Sequence, residues 1–305
     1  MFSYAVTSRS KNIRTMKTGF IGLGNLGTPI AENLLMQHQP LYVYNRTAAK
    51  AQPLADKGAV ICTSVKELAS LCDVVFTLVA DDAALTHITD GPEGIAANLR
   101  PGGIHISMST ILPATSTTLA ASHRRYENHY IASPVMGRPE VARAKKLNLL
   151  VSGDDTVIAT VKPLLQDAGA VNVWEFGPEP GAANVAKLCS NYLILSGLAA
   201  MAEGIQLARQ SGIQADQWMQ MLTQTLFNAP YYHIYSSALL KEAYVPPGFS
   251  LAMALKDANL VLQQAQTSGV PMAVGQITRE LLQQGVANGW GEQDVVAVQK
   301  VISGQ

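Results

Sequence analysis

Among the 305 residues of this chain, Lys187 has the setting best suited to moving a proton. It lies in a run of Ala182, Ala183, Val185, Ala186, Leu188 and Cys189, and Asn191 follows four residues later, one helical turn along the same face. Apolar neighbours destabilise an ammonium relative to the neutral amine, so a lysine set in an apolar cleft is brought into range for protonating an alkoxide. On an isolated helix the same residue would be a solvated or snorkelling side chain, so its surroundings decide its role. A second candidate is Gly22-Leu23-Gly24-Asn25-Leu26-Gly27. There the first glycine permits a tight turn, the second lets the backbone approach an anion, and the third lets a helix pack closely on a strand. Cys62, Cys72 and Cys189 form no CxxC pair and no zinc-ligand spacing with the six histidines, so a metal-free site and a reducing compartment are expected.

These residues need elements to hold them. From Lys17 to Gly177 short β-branched runs alternate with helix-length segments, the pattern of a parallel sheet wrapped by crossover helices. The predicted strands are 18–21, 41–44, 60–62, 74–79, 104–108, 130–132, 149–152 and 171–174, and their near-continuous hydrophobicity suits strands covered on both faces. Residues 29–36, 48–57, 65–71 and 115–122 read as helices. Gly177-Pro178-Glu179-Pro180-Gly181 breaks the alternation. Beyond it, 182–211 contains no proline and only three charges, Lys187, Glu203 and Arg209, which predicts one helix roughly 45 Å long. Helices are also predicted over 215–226, 249–266, 272–288 and 294–302. The expected class is α/β: a Rossmann-type doubly wound sheet over 17–180, joined by a long interdomain helix to an all-α domain over 181–305, with a leader over 1–16.

Composition narrows the partners. The chain is 48% hydrophobic and 14% charged, against about 25% charged in an average soluble protein, so it can bury a large core. Its length exceeds what one core usually serves. Twenty-two basic and 22 acidic side chains leave no net field to draw nucleic acid or an anionic membrane. The longest apolar stretch, Tyr192 to Ala202, is interrupted by Ser196 and Gly197, and no membrane span is predicted. Before Glu32 there is no acidic residue, while Arg9, Lys11, Arg14 and Lys17 lie among Ser and Thr. That composition mimics an organellar transit peptide, but a ragged leader ahead of Met16 is the simpler reading, and a cytoplasmic protein is expected.

With a strand before it and a helix after it, the glycine run becomes a dinucleotide phosphate loop, its helix-start N–H groups facing the pyrophosphate. An acidic residue ending the second strand would hold the ribose of NAD. Here that place reads Asn45-Arg46-Thr47, and Arg46 offers a guanidinium fork to a 2′-phosphate with no carboxylate beside it. NADP is therefore expected over NAD. The competing reading makes Arg46 a solvated cap of the next helix. Val79 and Ala80, ending the fourth strand, are assigned to the same cofactor-binding set.

Taken in order, five motifs resemble the β-hydroxyacid dehydrogenase family, which includes the 3-hydroxyisobutyrate dehydrogenases and the semialdehyde reductases. They are Phe20-Ile21 with the glycine run; Ser109-Thr110 with Pro113; Ser133-Pro134-Val135-Met136-Gly137; Lys187 with Asn191; and Phe249 with Lys256-Asp257. The resemblance covers the chain from Met16 onward and extends to the nucleotide-binding half of 6-phosphogluconate dehydrogenase. It implies that Lys187 is the acid-base residue and that Asn191 holds the substrate. It places Ser109 and Thr110 by the nicotinamide, the loop of Met136, Gly137 and Arg138 around a substrate carboxylate, and Phe249, Lys256 and Asp257 on an element closing the site, with Phe249 and Asp257 toward the substrate and Lys256 toward the cofactor. It also implies a homodimer or dimer of dimers. Three positions depart from the family's pattern: Met136-Gly137-Arg138 stands for Ser-Gly-Gly, Ala183 for a glycine, and Ser107 for an acidic residue. Arg138 either restores a carboxylate contact from another angle or is a surface arginine after a turn.

The expected activity is an NADPH-dependent reduction of a small aldehyde or keto acid, reversible as hydroxy acid oxidation. Glyoxylate and the semialdehydes of succinate, tartronate and methylmalonate are candidate substrates by resemblance. Imine reductases share the architecture but carry Asp or Tyr at the lysine, which counts against them. A non-catalytic dinucleotide-binding module is disfavoured because Lys187, Asn191, Thr110 and Asp257 are all present.

Overall fold

The computed structural model describes residues 16–305, so the expected leader lies outside the described residues except for Met16. The chain divides into two compact units, the second starting at Leu188.

In the first unit, β1 (Thr18–Ile21), β2 (Leu41–Tyr44), β3 (Val60–Ile61), β4 (Val74–Thr77), β5 (Ile104–Ser107) and β6 (His129–Ala132) form one parallel sheet in the order β3-β2-β1-β4-β5-β6. The order reverses beside β1, which opens a crevice at the carboxyl ends of the strands for a ligand. Helices α1 (Gly27–Leu35), α2 (Gln52–Ala55), α3 (Val65–Leu71), α4 (Asp82–Thr89), α5 (Ile95–Asn98) and α6 (Pro113–Arg125) cover the two faces. Every residue of β1, β4 and β5 is buried, as strands covered on both faces require. Phe20 and Phe76 stack within that core with ring centroids 6.2 Å apart.

The sheet does not continue to Trp174 as the alternation predicts. Pro134 follows β6, and β7 (Val135–Met136) then pairs antiparallel with β8 (Leu147–Val151), which pairs parallel with β9 (Ala170–Glu175) in a separate three-stranded sheet. Pro134 brings no N–H to a ladder, and Gly137, with φ +154°, turns the chain into α7 (Pro139–Arg143). Helix α8 (Asp155–Asp167) connects β8 to β9. Neither β7 nor the helices α4, α5, α7 and α8 is among the predicted elements; β7, α5 and α7 are five residues or shorter, whereas α8 carries an apolar stripe at helical spacing, Val157, Ile158, Val161, Leu164 and Leu165, that is legible in the sequence and missing from the prediction.

A buried polar chain runs beneath the first sheet. Asn128 donates both amide hydrogens to the carbonyls of Ala96 and Leu99, so its oxygen accepts from His123 Nδ1. Burial keeps both imidazoles neutral, so His123 Nε2 accepts from His105 Nδ1 at 2.8 Å and His105 Nε2 from the Thr77 hydroxyl at 2.9 Å. Desolvation holds His123 down to about 4 and His105 well below the usual imidazole range. Unfolded imidazoles take up protons near pH 6.5, so the stability these groups contribute is complete above that pH and falls as pH drops toward 4, by about 1.4 kcal/mol per pH unit for each. The urea midpoint is accordingly expected to be lower at pH 5 than at pH 7. Equal midpoints would rule out this linkage.

The second unit is helical: the greater part of α9 (Ala182–Gln210), then α10 (Ala215–Gln224), α11 (Pro230–Leu240), α12 (Leu251–Thr267), α13 (Ala273–Gly285) and α14 (Val298–Ile302). Helix α11 falls in a stretch left without a prediction, because its three tyrosines and Ile234 give no one-sided apolar stripe. By length and mean hydropathy, 1.4 over eighteen residues, α9 resembles a membrane-crossing segment. Its Leu195, Leu198, Met201, Ala202 and Ile205 are instead buried in the unit's own core with Met219, Leu239, Leu251 and Leu282.

Candidate active site

The glycine run sits between β1 and α1 and behaves as its spacing predicts. Gly22 has φ +104°, and a Cβ there would collide with the Leu78 carbonyl. A Cβ on Gly27 would collide with the carbonyl of Gly22, so helix and strand meet only if that residue is glycine. On Gly24 a Cβ would meet nothing within 4 Å. Helix α1 has no side-chain cap and no acidic residue in its first turn, and although Thr28 N donates to the Gly24 carbonyl, no negative group closes this helix start to an anion. Asn25 is exposed, Leu26 half-buried, and Leu23 has its side chain buried in the core and its N–H given to Asn45, so Leu23 shapes the loop without donating to a ligand. A dinucleotide pyrophosphate fits this cradle.

Asn45 locks the loop to the end of β2. Its side-chain oxygen accepts from Leu23 N at 2.9 Å, and its amide nitrogen donates to the Thr47 carbonyl at 3.0 Å. Arg46 and Thr47 are exposed, and Thr47 precedes a 3-10 turn, Ala48–Ala51, without capping it through its side chain. The continuous helix predicted over 48–57 is this turn followed by the short α2, because Pro53 sits at the helix start. No carboxylate among the described residues pairs with Arg46.

Val79 and Ser109, assigned separately in the sequence, meet: Val79 N donates to Ser109 Oγ at 2.8 Å across the ends of β4 and β5. Thr110 is half-buried beside them, and Ala80 is exposed. Asp82 holds this corner, accepting from Leu112 N at 2.9 Å and Thr115 Oγ1 at 2.6 Å. Asp82 escaped the motif reading, although the acidic pair Asp81-Asp82 after a strand is a helix-start signal.

Lys187 lies in the second turn of α9 and is only 9% exposed. Its Nζ donates to Met136 Sδ at 3.3 Å, bringing the lysine to the end of β7. The start of α9 is anchored twice, by Ser152 Oγ accepting from Ala183 N at 3.0 Å and by Ser116 Oγ donating to Asn184 Oδ1 at 2.8 Å. Neither serine stands out in sequence, since the partners lie 31 and 68 residues away. Ala183, where a glycine is usual, is fully buried against Leu150 and Ile111. A side chain on Gly137 would press on Leu147, and Arg138 Nε lies 3.2 Å from Glu140 Oε1, so Glu140 partly neutralises that guanidinium.

In the second unit, Asn191 is buried and donates to Asp257 Oδ2 at 2.7 Å, while Lys256 Nζ lies 2.7 Å from Asp257 Oδ1. The asparagine is thereby oriented by a carboxylate that is itself charge-balanced. Phe249 lies just before α12, outside the helix predicted to begin with it, because Ser250 caps that helix at Met253 N. Asp294 accepts from Gly248 N and Phe249 N and fixes this entry.

The comparisons agree along the whole described chain. Residues 17–177 match the family described as the NAD binding domain of 6-phosphogluconate dehydrogenase, and residues 181–302 match that described as the NAD-binding of NADP-dependent 3-hydroxyisobutyrate dehydrogenase. The uncharacterized oxidoreductase YfjR of Bacillus subtilis is 34% identical over 94% of this chain and 100% of its own length. Glyoxylate/succinic semialdehyde reductase 2 of Arabidopsis thaliana is 28% identical over 95% of this chain and 80% of its own. The crystal structure of 3-hydroxyisobutyrate dehydrogenase from Salmonella typhimurium superposes with a TM-score of 0.83 at 25% identity, covering 94% of this chain and 99% of that one.

Proposed function

The chain belongs to the β-hydroxyacid dehydrogenase family, that of the 3-hydroxyisobutyrate dehydrogenases, and is an NAD(P)-binding oxidoreductase; on that premise we propose that it reduces the carbonyl of a small aldehyde or keto acid with NADPH. The observation that carries this reading is Lys187: a nearly buried ammonium, anchored by the first turn of its helix and delivered to the end of β7. When bound, NADPH supplies a hydride to the carbonyl carbon. Lys187 Nζ gives its proton to the carbonyl oxygen, which stays on carbon as the hydroxyl of the product, and the reverse path has the neutral amine take that proton back. Asn191, oriented by Asp257, holds the substrate, and Thr110 lines the nicotinamide side. The glycine run, Asn45 and Arg46 hold the dinucleotide, the last as partner of a 2′-phosphate. The matched description of an NADP-dependent 3-hydroxyisobutyrate dehydrogenase supports that choice, and the semialdehyde reductase among the relatives supports the substrate class. The test is a panel of semialdehydes and keto acids followed by NADPH oxidation; silence across it would favour a dinucleotide-binding module without turnover.

Assembly belongs to the same reading. Leu193 and Leu207 on α9 are 68% and 70% exposed, a costly arrangement for a lone helix of this composition. A homodimer, or a dimer of dimers, covering this helix is expected in solution. Light scattering checks it, and a monomer of 32.5 kDa at micromolar concentration would refute it.

A further inference from the structure

Met136 meets Lys187 with a thioether, which has no proton to donate to a substrate's acid group. The residue opposite it in the β7–β8 ladder is Asn148. Paired residues share a face, with Cβ atoms about 5 Å apart. The neighbouring pair, Val135 and Leu149, points the other way into the core. Met136 and Asn148 thus stand side by side on the face that also carries Leu150, and Leu150 packs in one apolar cluster with Met136, Ala183 and Ala186 of the lysine helix.

The Asn148 amide is oriented. Its Oδ1 accepts from Trp174 Nε1 at 2.9 Å and from Asn172 Nδ2 at 3.0 Å, both on β9. An indole N–H can only donate, so the atom facing it is the oxygen and the amide cannot be flipped. In a planar amide whose oxygen faces β9, the nitrogen is directed away from β9, to the side of Met136. Asn148 is half-buried, and its N–H2 meets no acceptor among the described residues. Two neighbours therefore hold in place a donor pair that no described residue accepts from, which is how a preorganised ligand contact is built.

We propose that Asn148 is a specificity-determining residue, whose Nδ2 group donates to the acid group of the substrate that Lys187 protonates. The proposal rests on the reductase reading and names its substrate class. Met136 meets Lys187 and is paired across the ladder with Asn148, an arrangement that suits an acid group separated from the reacting carbonyl by methylene groups. The class is that of linear semialdehydes, ahead of 2-oxo acids, whose carboxylate adjoins the carbonyl.

Asn148→Asp tests this, because it keeps an oxygen for Trp174 and Asn172 while turning the donor into an anion. With succinic semialdehyde and butyraldehyde as four-carbon substrates with and without the acid, the ratio of their kcat/KM values is expected to fall at least tenfold in the variant. Succinate binding to the NADP+-loaded protein, measured by calorimetry, is expected to weaken by a similar factor. An unchanged ratio together with unchanged succinate affinity overturns the proposal, as does a native protein that binds no succinate. If the native protein reduces neither aldehyde, the reductase reading fails, while loss of succinate binding in the variant still supports the anchor. Asn148→Ala removes the donor without adding charge; if the Asp variant does not fold, the same fall in ratio and in succinate affinity is expected of it, and their constancy overturns the proposal equally.

Discussion

Replacing Lys187 by methionine is expected to lower kcat by about 10²-fold or more, the size of a lost general acid, while NADPH affinity stays within about twofold. Methionine keeps the unbranched stem that fills the site, so the ammonium is the main thing lost. The two serine contacts that hold the start of α9 involve Ala183 N and Asn184, not the lysine head, and they survive the change. Melting temperature should therefore move little. A structural lysine behaves otherwise: its loss alters stability, cofactor binding and activity in step. Single-turnover rates with saturating NADPH separate the two outcomes. A variant that turns over at the native rate would remove the mechanism and leave a dinucleotide reader.

Arg46→Asp carries the second-largest effect. The native protein is expected to bind NADPH more tightly than NADH, and the variant to lose that preference through roughly a 10²-fold weaker NADPH complex. A charge-assisted fork is lost and a carboxylate is set against the 2′-phosphate. Asn45, whose amide ties Leu23 N to the Thr47 carbonyl, is left alone, so the phosphate loop keeps its shape and NADH binding persists. Dissociation constants for both cofactors, measured on both proteins, decide it. If the native chain binds NADH as tightly as NADPH, the reading of Asn45-Arg46-Thr47 is wrong.

What local pattern could show, it showed well. The glycine run, β1, β2 and the start of α9 lie at or within a residue of the places their composition predicts, because a tight turn, a doubly covered strand and an uninterrupted helix each leave a signal inside a few consecutive residues. The same locality explains the failures. β7 is two residues long, and nothing within two residues can announce a second sheet. Its existence follows from Pro134 ending one ladder and Gly137 turning the chain back, and from β8 and β9 lying ready to receive it.

The site divides along the same line. The amino-acid sequence by itself singled out the residues proposed to carry chemistry: Lys187 and the glycine run by type and spacing, Asn191 and Ser109 by their order in motifs that resemble the family. Only the tertiary structure decided what those residues face. That Lys187 meets a thioether, that Val79 donates to Ser109, that Asp257 orients Asn191, and that Trp174 fixes the amide of Asn148 are contacts across 26 to 66 residues of chain. Such partners are chosen by strand register and helix docking. A hydrogen-bond partner has no periodicity of its own, so it becomes visible only when the backbone has brought both ends together.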